Sequence, residues 1–147
     1  VDDEVYIWKG LRIMGLGGCI RYNREDTYQY TEKEMRRRAR KLWFKAHRAG
    51  GIDLLLTHSP AAGLNDGDDR AHKGFACFND LLEEYQPKWF VHGHVHLSYN
   101  ANLPRVCTHG QTTVINATER YTFEIPDPDP VARKRFFWND PAFPTKN

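Results

Sequence analysis

Residues 89–96 read WFVHGHVH, an apolar run that passes directly into three closely spaced histidines. Residues 52–58 read IDLLLTH, a second apolar run that also ends in a histidine. Continuous apolar runs of this length are typical of parallel strands that are buried on both faces. Open α/β sheets form their sites beyond the carboxyl ends of such strands. We therefore expect the histidines of the two runs to meet at one edge of a sheet.

The segments around these runs alternate between helix and strand patterns. Thr31 and Glu34 have the spacing of a capping box, which predicts a helix that begins at Thr31 and ends at Gly50-Gly51. A second amphipathic helix is predicted from about residue 73 to residue 85. Further strands are predicted at residues 5–8, 11–15, 105–108, 112–116 and 121–125. This order predicts an α/β layered fold.

Composition limits the class of protein. The chain has 147 residues, of which 40% are hydrophobic, 27% charged and 13% aromatic, which suits one folded domain. The net charge of +2 is too small for general attraction to nucleic acid, and no apolar run approaches the roughly 18 residues of a membrane-spanning helix. Three distant cysteines and no signal peptide predict a cytoplasmic protein. We expect a domain over residues 1–125 and a Pro-rich tail over residues 126–147.

Three histidines are candidate metal ligands. His94 and His96 are two residues apart, so in an extended segment they point to the same side, and His58 ends the neighbouring strand. Neutral imidazole binds Mn, Fe or Zn, and an HGHVH cluster after a buried strand is hard to explain by packing alone. For His92, which directly follows the apolar run, we expect a packed position beside the ligands.

The residues at these two strand ends resemble motifs of the calcineurin-like metallophosphoesterases. Gly93-His94-Val95-His96 resembles the last motif of that family, and Leu56-Thr57-His58-Ser59-Pro60 resembles the preceding one. The similarity runs in the right order over roughly residues 5–125. It implies the C-terminal half of a two-sheet α/β/β/α sandwich and the hydrolysis of phosphoesters at two divalent metal ions.

The resemblance also implies roles for individual residues. His58 and His94 would bind one metal ion, and His96 would bind the other, the ions being Mn, Fe or Zn. Position alone makes His72, Arg70 and Arg21 candidates for contact with a phosphorylated substrate. The Asp-rich stretch at residues 66–69 is instead expected to stabilise turns of the same loop.

Three further motifs of the family are absent from this chain, namely Asp-x-His, Gly-Asp-x-x-Asp and Gly-Asn-His. Residues 67–71 read GDDRA, a near match to the second in which Ala71 stands where an Asp belongs. No catalytic residue is therefore assigned. Three neutral imidazoles leave the charges of two ions uncompensated, so at most one weak metal site is expected in this chain alone. A missing N-terminal half, a second copy or a partner chain would also have to cover an exposed sheet face.

Two other interpretations remain open. The chain is alternatively a non-catalytic module that binds a partner or one structural metal ion. The basic residues of the first helix, between Lys33 and Arg48, would suit a nucleic-acid surface, but a solvated face opposite an apolar stripe is favoured. That stripe consists of Met35, Ala39, Leu42, Trp43 and Ala46.

Overall fold

The computed structural model describes residues 1–23, 27–98 and 103–126. Within these ranges the chain forms, in order, β1 (Glu4–Trp8), β2 (Leu11–Leu16), β3 (Cys19–Ile20), β4 (Gln29–Tyr30), α1 (Glu32–Arg48), β5 (Leu54–Thr57), α2 (Ala76–Tyr85), β6 (Trp89–His92), β7 (Val106–His109) and β8 (Thr112–Asn116). Apart from Pro126, the Pro-rich tail expected over residues 126–147 lies outside the described residues.

The strands form a mixed sheet in the order β1-β2-β5-β6-β8-β7, beside a short parallel pair of β3 and β4. The four central strands β2, β5, β6 and β8 are parallel, and β1 and β7 add an antiparallel strand at each edge. Parallel strands direct their carboxyl ends to one edge. His58 follows β5 at this edge, and His92 ends β6 there.

Helix α1 begins and ends as its sequence predicts. The Thr31 hydroxyl accepts a hydrogen bond from the backbone N–H of Glu34, and the Glu34 carboxylate accepts one from the N–H of Thr31. These two bonds satisfy backbone donors that a helix start leaves without partners. After the helix, Gly50 and Gly51 adopt φ of 77° and 100°, a left-handed conformation that glycine adopts readily.

Both helices cover one face of the sheet. Met14, Leu55, Phe90 and Val114 occupy matched positions of the four parallel strands and point to this face. The helices contribute the buried side chains of Met35, Ala39, Leu42 and Ala46 from α1 and of Cys77, Phe78, Leu81 and Leu82 from α2. The main core therefore lies between the sheet and the two helices.

Two side chains of α1 differ from their predicted positions. Trp43, predicted to be buried, is 41% exposed and donates its indole N–H to Glu84 of α2. Arg38, expected on the solvated face, is buried because its guanidinium pairs with Asp2 at 2.7 Å and Asp3 at 2.8 Å. The other basic side chains of this face that are exposed, as either interpretation of the face requires, are Lys33, Arg37, Arg40, Lys41, Lys45 and Arg48.

The opposite face of the sheet carries no helix in the described ranges. A small apolar cluster of Leu54, Val91 and Ile115 is buried there, with Phe123 and Ile125 packed against it. The strand predicted at residues 121–125 is wrong, because this segment is laid over the sheet face and does not pair with a strand edge. The edge strands leave large side chains exposed on the same face, namely Tyr6 at 45%, Trp8 at 52% and Val106 at 42%.

None of the helices in the described ranges is both long enough and apolar enough to cross a membrane.

Candidate metal centre

The ends of β5 and β6 bring His58 and His94 together. Gly93 donates its backbone N–H to the carbonyl of His58 at 3.0 Å, which continues the pairing of these parallel strands by one residue. At this point Nε2 of His58 lies 3.0 Å from Nδ1 of His94. The predicted meeting of histidines at the carboxyl edge of the sheet is therefore seen for these two side chains.

His94 lies in a bend, whereas its sequence position suggested an extended segment. Its φ is 66°, and the N–H of Val95 donates to the carbonyl of Gly93 at 2.7 Å. A left-handed conformation at a residue other than glycine costs on the order of 1 kcal/mol, so surrounding contacts must hold His94 in it. The bend directs the His94 ring toward His58 and toward the loop that precedes α2.

A backbone carbonyl selects the tautomer of His94. Nε2 of His94 lies 2.8 Å from the carbonyl oxygen of Ala71. Because a carbonyl oxygen only accepts hydrogen bonds, Nε2 carries the proton of the neutral ring. Nδ1 then keeps its lone pair, and this is the atom that faces His58.

The surroundings favour the neutral form of both rings. Desolvation, followed by the nearby charge of His94, lowers the pKa of His58. Desolvation also lowers the pKa of His94, and the hydrogen bond to Ala71 opposes this only in part. Since only a neutral imidazole has a lone pair for a metal ion, both shifts keep these rings available as ligands near neutral pH.

The spacing of the two nitrogen atoms suits a shared metal ion. Zinc–nitrogen bonds of about 2.0–2.1 Å at a tetrahedral angle place two ligand atoms roughly 3.3 Å apart. In the metal-free protein Nε2–H of His58 donates to the Nδ1 lone pair of His94 at 3.0 Å, a distance within a few tenths of an ångström of that value, so an ion that displaces this proton would meet two nitrogen lone pairs at ligand spacing. The pair therefore fits half of a metal-binding site.

His96 takes a separate position beside this pair. It is exposed and lines a cavity of about 340 Å³ together with Asp68, Asp69 and His72. Its charge lies close enough to His94 to contribute to the lowered pKa of that ring. Within residues 1–23, 27–98 and 103–126, no three His, Cys, Asp or Glu side chains come close enough to hold one ion.

The loop between β5 and α2 places His72 beside His94, with their ring centroids 5.1 Å apart. Nδ1 of His72 donates to Oδ2 of Asp69 at 2.7 Å, and Asp66 accepts the backbone N–H of Gly74 at 3.1 Å. Asp66 and Asp69 thus stabilise turns, as their sequence pattern predicts. Gly74 is needed because a Cβ there would overlap the backbone of Ala61.

The two candidate arginines lie in different surroundings. Arg70 is exposed on the same loop as His72. Arg21 donates to Glu34 at 3.0 Å and to the carbonyl of Gln29 at 3.1 Å, which ties it to the start of α1. Arg70 therefore shares the loop of the histidine cluster, whereas the described bonds of Arg21 are to α1 and β4.

Two contributions to the site were not apparent from the sequence. The Ala71 carbonyl acts through its backbone, which no residue-type motif reports. The sequence pattern predicts only a turn-forming role for Asp69, although the spacing Asp69-x-x-His72 also allows its carboxylate to reach the histidine ring. That i, i+3 spacing is the signal that would have identified the pair.

Comparison with known proteins shows partial similarity. No family model matches the chain. It is 32% identical over 71 residues to metallophosphoesterase domain-containing protein 1 of Homo sapiens and of Mus musculus, covering 46% of this chain and 20% of each relative. A UPF0046 protein of Caenorhabditis elegans is 37% identical over 73 residues, covering 45% of this chain and 24% of the relative. The matched region thus spans a fifth to a quarter of the length of these curated relatives.

Solved structures share the fold at low sequence identity. One crystal structure matches with a TM-score of 0.55 and 18% identity, and the match covers 80% of this chain and 44% of the chain in that structure. The crystal structure of TT1561 of Thermus thermophilus matches with a TM-score of 0.51 and 15% identity, over 79% of this chain and 48% of its own. The chain therefore has a metallophosphoesterase-like α/β fold, and part of it is similar in sequence to metallophosphoesterase domain-containing proteins.

Proposed function

We propose that this chain is the part of a metal-dependent phosphoester hydrolase that supplies imidazole ligands. His58 and His94 bind one divalent ion, and His96 contributes to a second. The observation that carries the proposal is the 3.0 Å separation of Nε2 of His58 and Nδ1 of His94, two atoms whose rings are kept neutral. Similarity to metallophosphoesterase domain-containing proteins supports the class of reaction.

The chemistry requires groups beyond these imidazoles. Divalent ions such as Mn, Fe or Zn, when bound, hold phosphate oxygens and lower the pKa of water. Three neutral rings do not offset the charge of two ions, so carboxylate ligands from another part of the polypeptide, a second copy or a partner chain belong to the proposal. That same component would cover the exposed sheet face around Trp8 and Val106. The cytoplasmic location remains a prediction.

The proposed substrate is a phosphoester whose phosphate lies over the histidine cluster. The cavity lined by His72 and His96 opens beside His94, and Arg70 extends from the same loop. His72 and Arg70 therefore remain candidates for phosphate contact. Arg21, whose guanidinium is bonded to Glu34, is the weaker of the proposed substrate contacts.

The test measures hydrolysis of bis(p-nitrophenyl) phosphate by the full-length protein as Mn²⁺ is added. We expect Mn²⁺-dependent turnover that His58→Ala, His94→Ala and His96→Ala each abolish. His109→Ala is the matched control, because His109 pairs with Glu83 at the opposite edge of the sheet. Turnover that persists in His58→Ala, or that needs no divalent ion, would overturn the proposal.

A second candidate function is a non-catalytic module with one structural metal ion. It is favoured by the spacing of the two nitrogen atoms of His58 and His94, because two ligand atoms 3.0 Å apart suit one ion, whereas hydrolysis at two ions needs a second set of ligands. The metal content of the full-length protein separates the two functions. One bound ion without hydrolysis supports the module, whereas two ions with hydrolysis support the enzyme.

A further inference from the structure

The Asp69 carboxylate accepts three hydrogen bonds in the turn at residues 69–72, beside a backbone bond from the N–H of His72 to the carbonyl of Asp69 at 3.3 Å. Oδ1 of Asp69 accepts the backbone N–H of Ala71 at 2.9 Å and that of His72 at 3.2 Å, while Oδ2 accepts Nδ1–H of the His72 ring at 2.7 Å. The N–H of Gly67 closes the base of the turn on the carbonyl of His72 at 2.9 Å. The Asp69 side chain thus bonds both the Ala71 backbone and the His72 ring.

Both of these groups contact His94. The Ala71 carbonyl accepts Nε2–H of His94 at 2.8 Å, and the His72 ring lies against the His94 ring with a centroid distance of 5.1 Å. His94 is also in the left-handed conformation, which intrinsically favours neither this orientation nor this tautomer. The position of its Nδ1 lone pair therefore depends on contacts from the turn.

We propose that Asp69 is a positioning residue for the metal-binding histidine pair. It acts through the turn, which aims the Ala71 carbonyl at Nε2 of His94 and so presents the lone pair of Nδ1 next to Nε2 of His58. This inference rests on the proposed function, since it assumes that His58 and His94 bind a metal ion. Mutation of a residue that orients a histidine ligand, without itself binding the metal ion, typically weakens metal affinity by about 10- to 100-fold.

The first test needs no metal ion. In the chelated protein, ¹⁵N NMR of the imidazole rings should show His94 as the Nε2–H tautomer, and Asp69→Ala should convert it to a mixture of tautomers. Asp69→Asn keeps an oxygen acceptor for the two backbone N–H groups, so it should largely restore the wild-type tautomer. A merely structural role of Asp69 would lower the melting temperature without changing the tautomer, and that result would overturn the inference.

The second test measures Zn²⁺ affinity by competition with a chromogenic chelator. We expect Asp69→Ala to weaken binding by about 10- to 100-fold. Glu83→Ala is the matched control, because it removes a carboxylate from the ring of His109, 2.9 Å away at the other edge of the sheet. The affinity of Glu83→Ala should equal that of the wild type.

The two proposals fail in different ways. If His58→Ala leaves Zn²⁺ affinity unchanged, the proposed function is wrong. If His58→Ala weakens binding but Asp69→Ala binds Zn²⁺ as tightly as Glu83→Ala, the metal site stands and the positioning role of Asp69 is wrong. Should Asp69→Ala fold poorly, the tautomer of His94 in the wild-type protein still tests the inference, because a ring protonated at Nδ1 would mean that the turn does not set it.

Discussion

Nε2 of His58 lies 3.0 Å from Nδ1 of His94, although 36 positions separate the two residues along the chain. Parallel pairing of β5 with β6 brings them together, because the backbone hydrogen bond from Gly93 to His58 extends that pairing to the edge of the sheet. Both rings are needed to bind one shared ion. The energetic coupling between the two histidines is therefore the quantity that reports most directly on the site.

A double-mutant cycle on Zn²⁺ affinity measures this coupling. We expect His58→Ala and His94→Ala each to weaken Zn²⁺ binding by more than the roughly 10- to 100-fold typical of a mutation that only affects the orientation of a ligand. The double variant should bind no more weakly than the poorer single variant, since one missing ligand already opens the site. Additive losses in a titration of all four proteins would mean that the two rings act independently.

The buried His92 gives the metal-free protein a pH dependence. Burial lowers the pKa of His92 from its ordinary 6.5 to about 4. The hydrogen bond to the Gly93 carbonyl raises the pKa in part, and the charge of His94 lowers it further. The unfolded chain binds a proton at His92 below pH 6.5, whereas the folded chain does so only near pH 4. The contribution of His92 to the free energy of unfolding is therefore fully present above pH 6.5 and decreases by about 3 kcal/mol as the pH drops toward 4.

Urea denaturation of the chelated protein between about pH 7.5 and pH 4 checks this dependence. His92→Gln should show a flatter profile, because it removes the group that gains a proton on unfolding. An unchanged slope in His92→Gln would assign the pH dependence to other residues.

The backbone at His94 predicts an unusual order of stabilities. At φ of 66° an alanine is strained, whereas glycine adopts this conformation without a Cβ penalty. In the metal-free protein, His94→Gly should therefore be more stable than His94→Ala by about 1 kcal/mol, the reverse of the usual preference in regular structure. Denaturation midpoints of the two variants decide this, and a more stable His94→Ala would show that the bend relaxes.

Arg38 should stabilise the fold much more than its neighbour Arg37. Its guanidinium bonds Asp2, Asp3 and the carbonyl of Gly17, and stacks 4.2 Å from the ring centre of Tyr30. Hydrogen bonds to charged groups of this kind contribute roughly 1.5–3 kcal/mol, so Arg38→Ala should lower the free energy of unfolding by about 2 kcal/mol. The exposed Arg37→Ala should change it by less than about 0.5 kcal/mol, and equal losses in the two variants would contradict the structure.

Local sequence patterns predict the helix and strands that position the site. The capping box at Thr31, the glycines after α1 and the apolar runs before His58 and His92 act over a few residues, and each of these predicted element ends agrees with the structure to within about two residues. Residues 121–125 misled the prediction because alternating apolar residues suit either a paired strand or a segment laid on an apolar face. Only the tertiary arrangement distinguishes these two cases.

The sequence by itself determined that the chain forms an α/β sheet and that histidines follow its buried strands, because periodicity and turn chemistry are local properties. Tertiary structure alone decided which histidines meet and in which protonation state. The pairing of His94 with His58, the Ala71 carbonyl that selects its tautomer and the burial of Arg38 all depend on contacts between residues more than 20 positions apart. Such contacts form only when distant segments pack together, and no pattern within either segment specifies them.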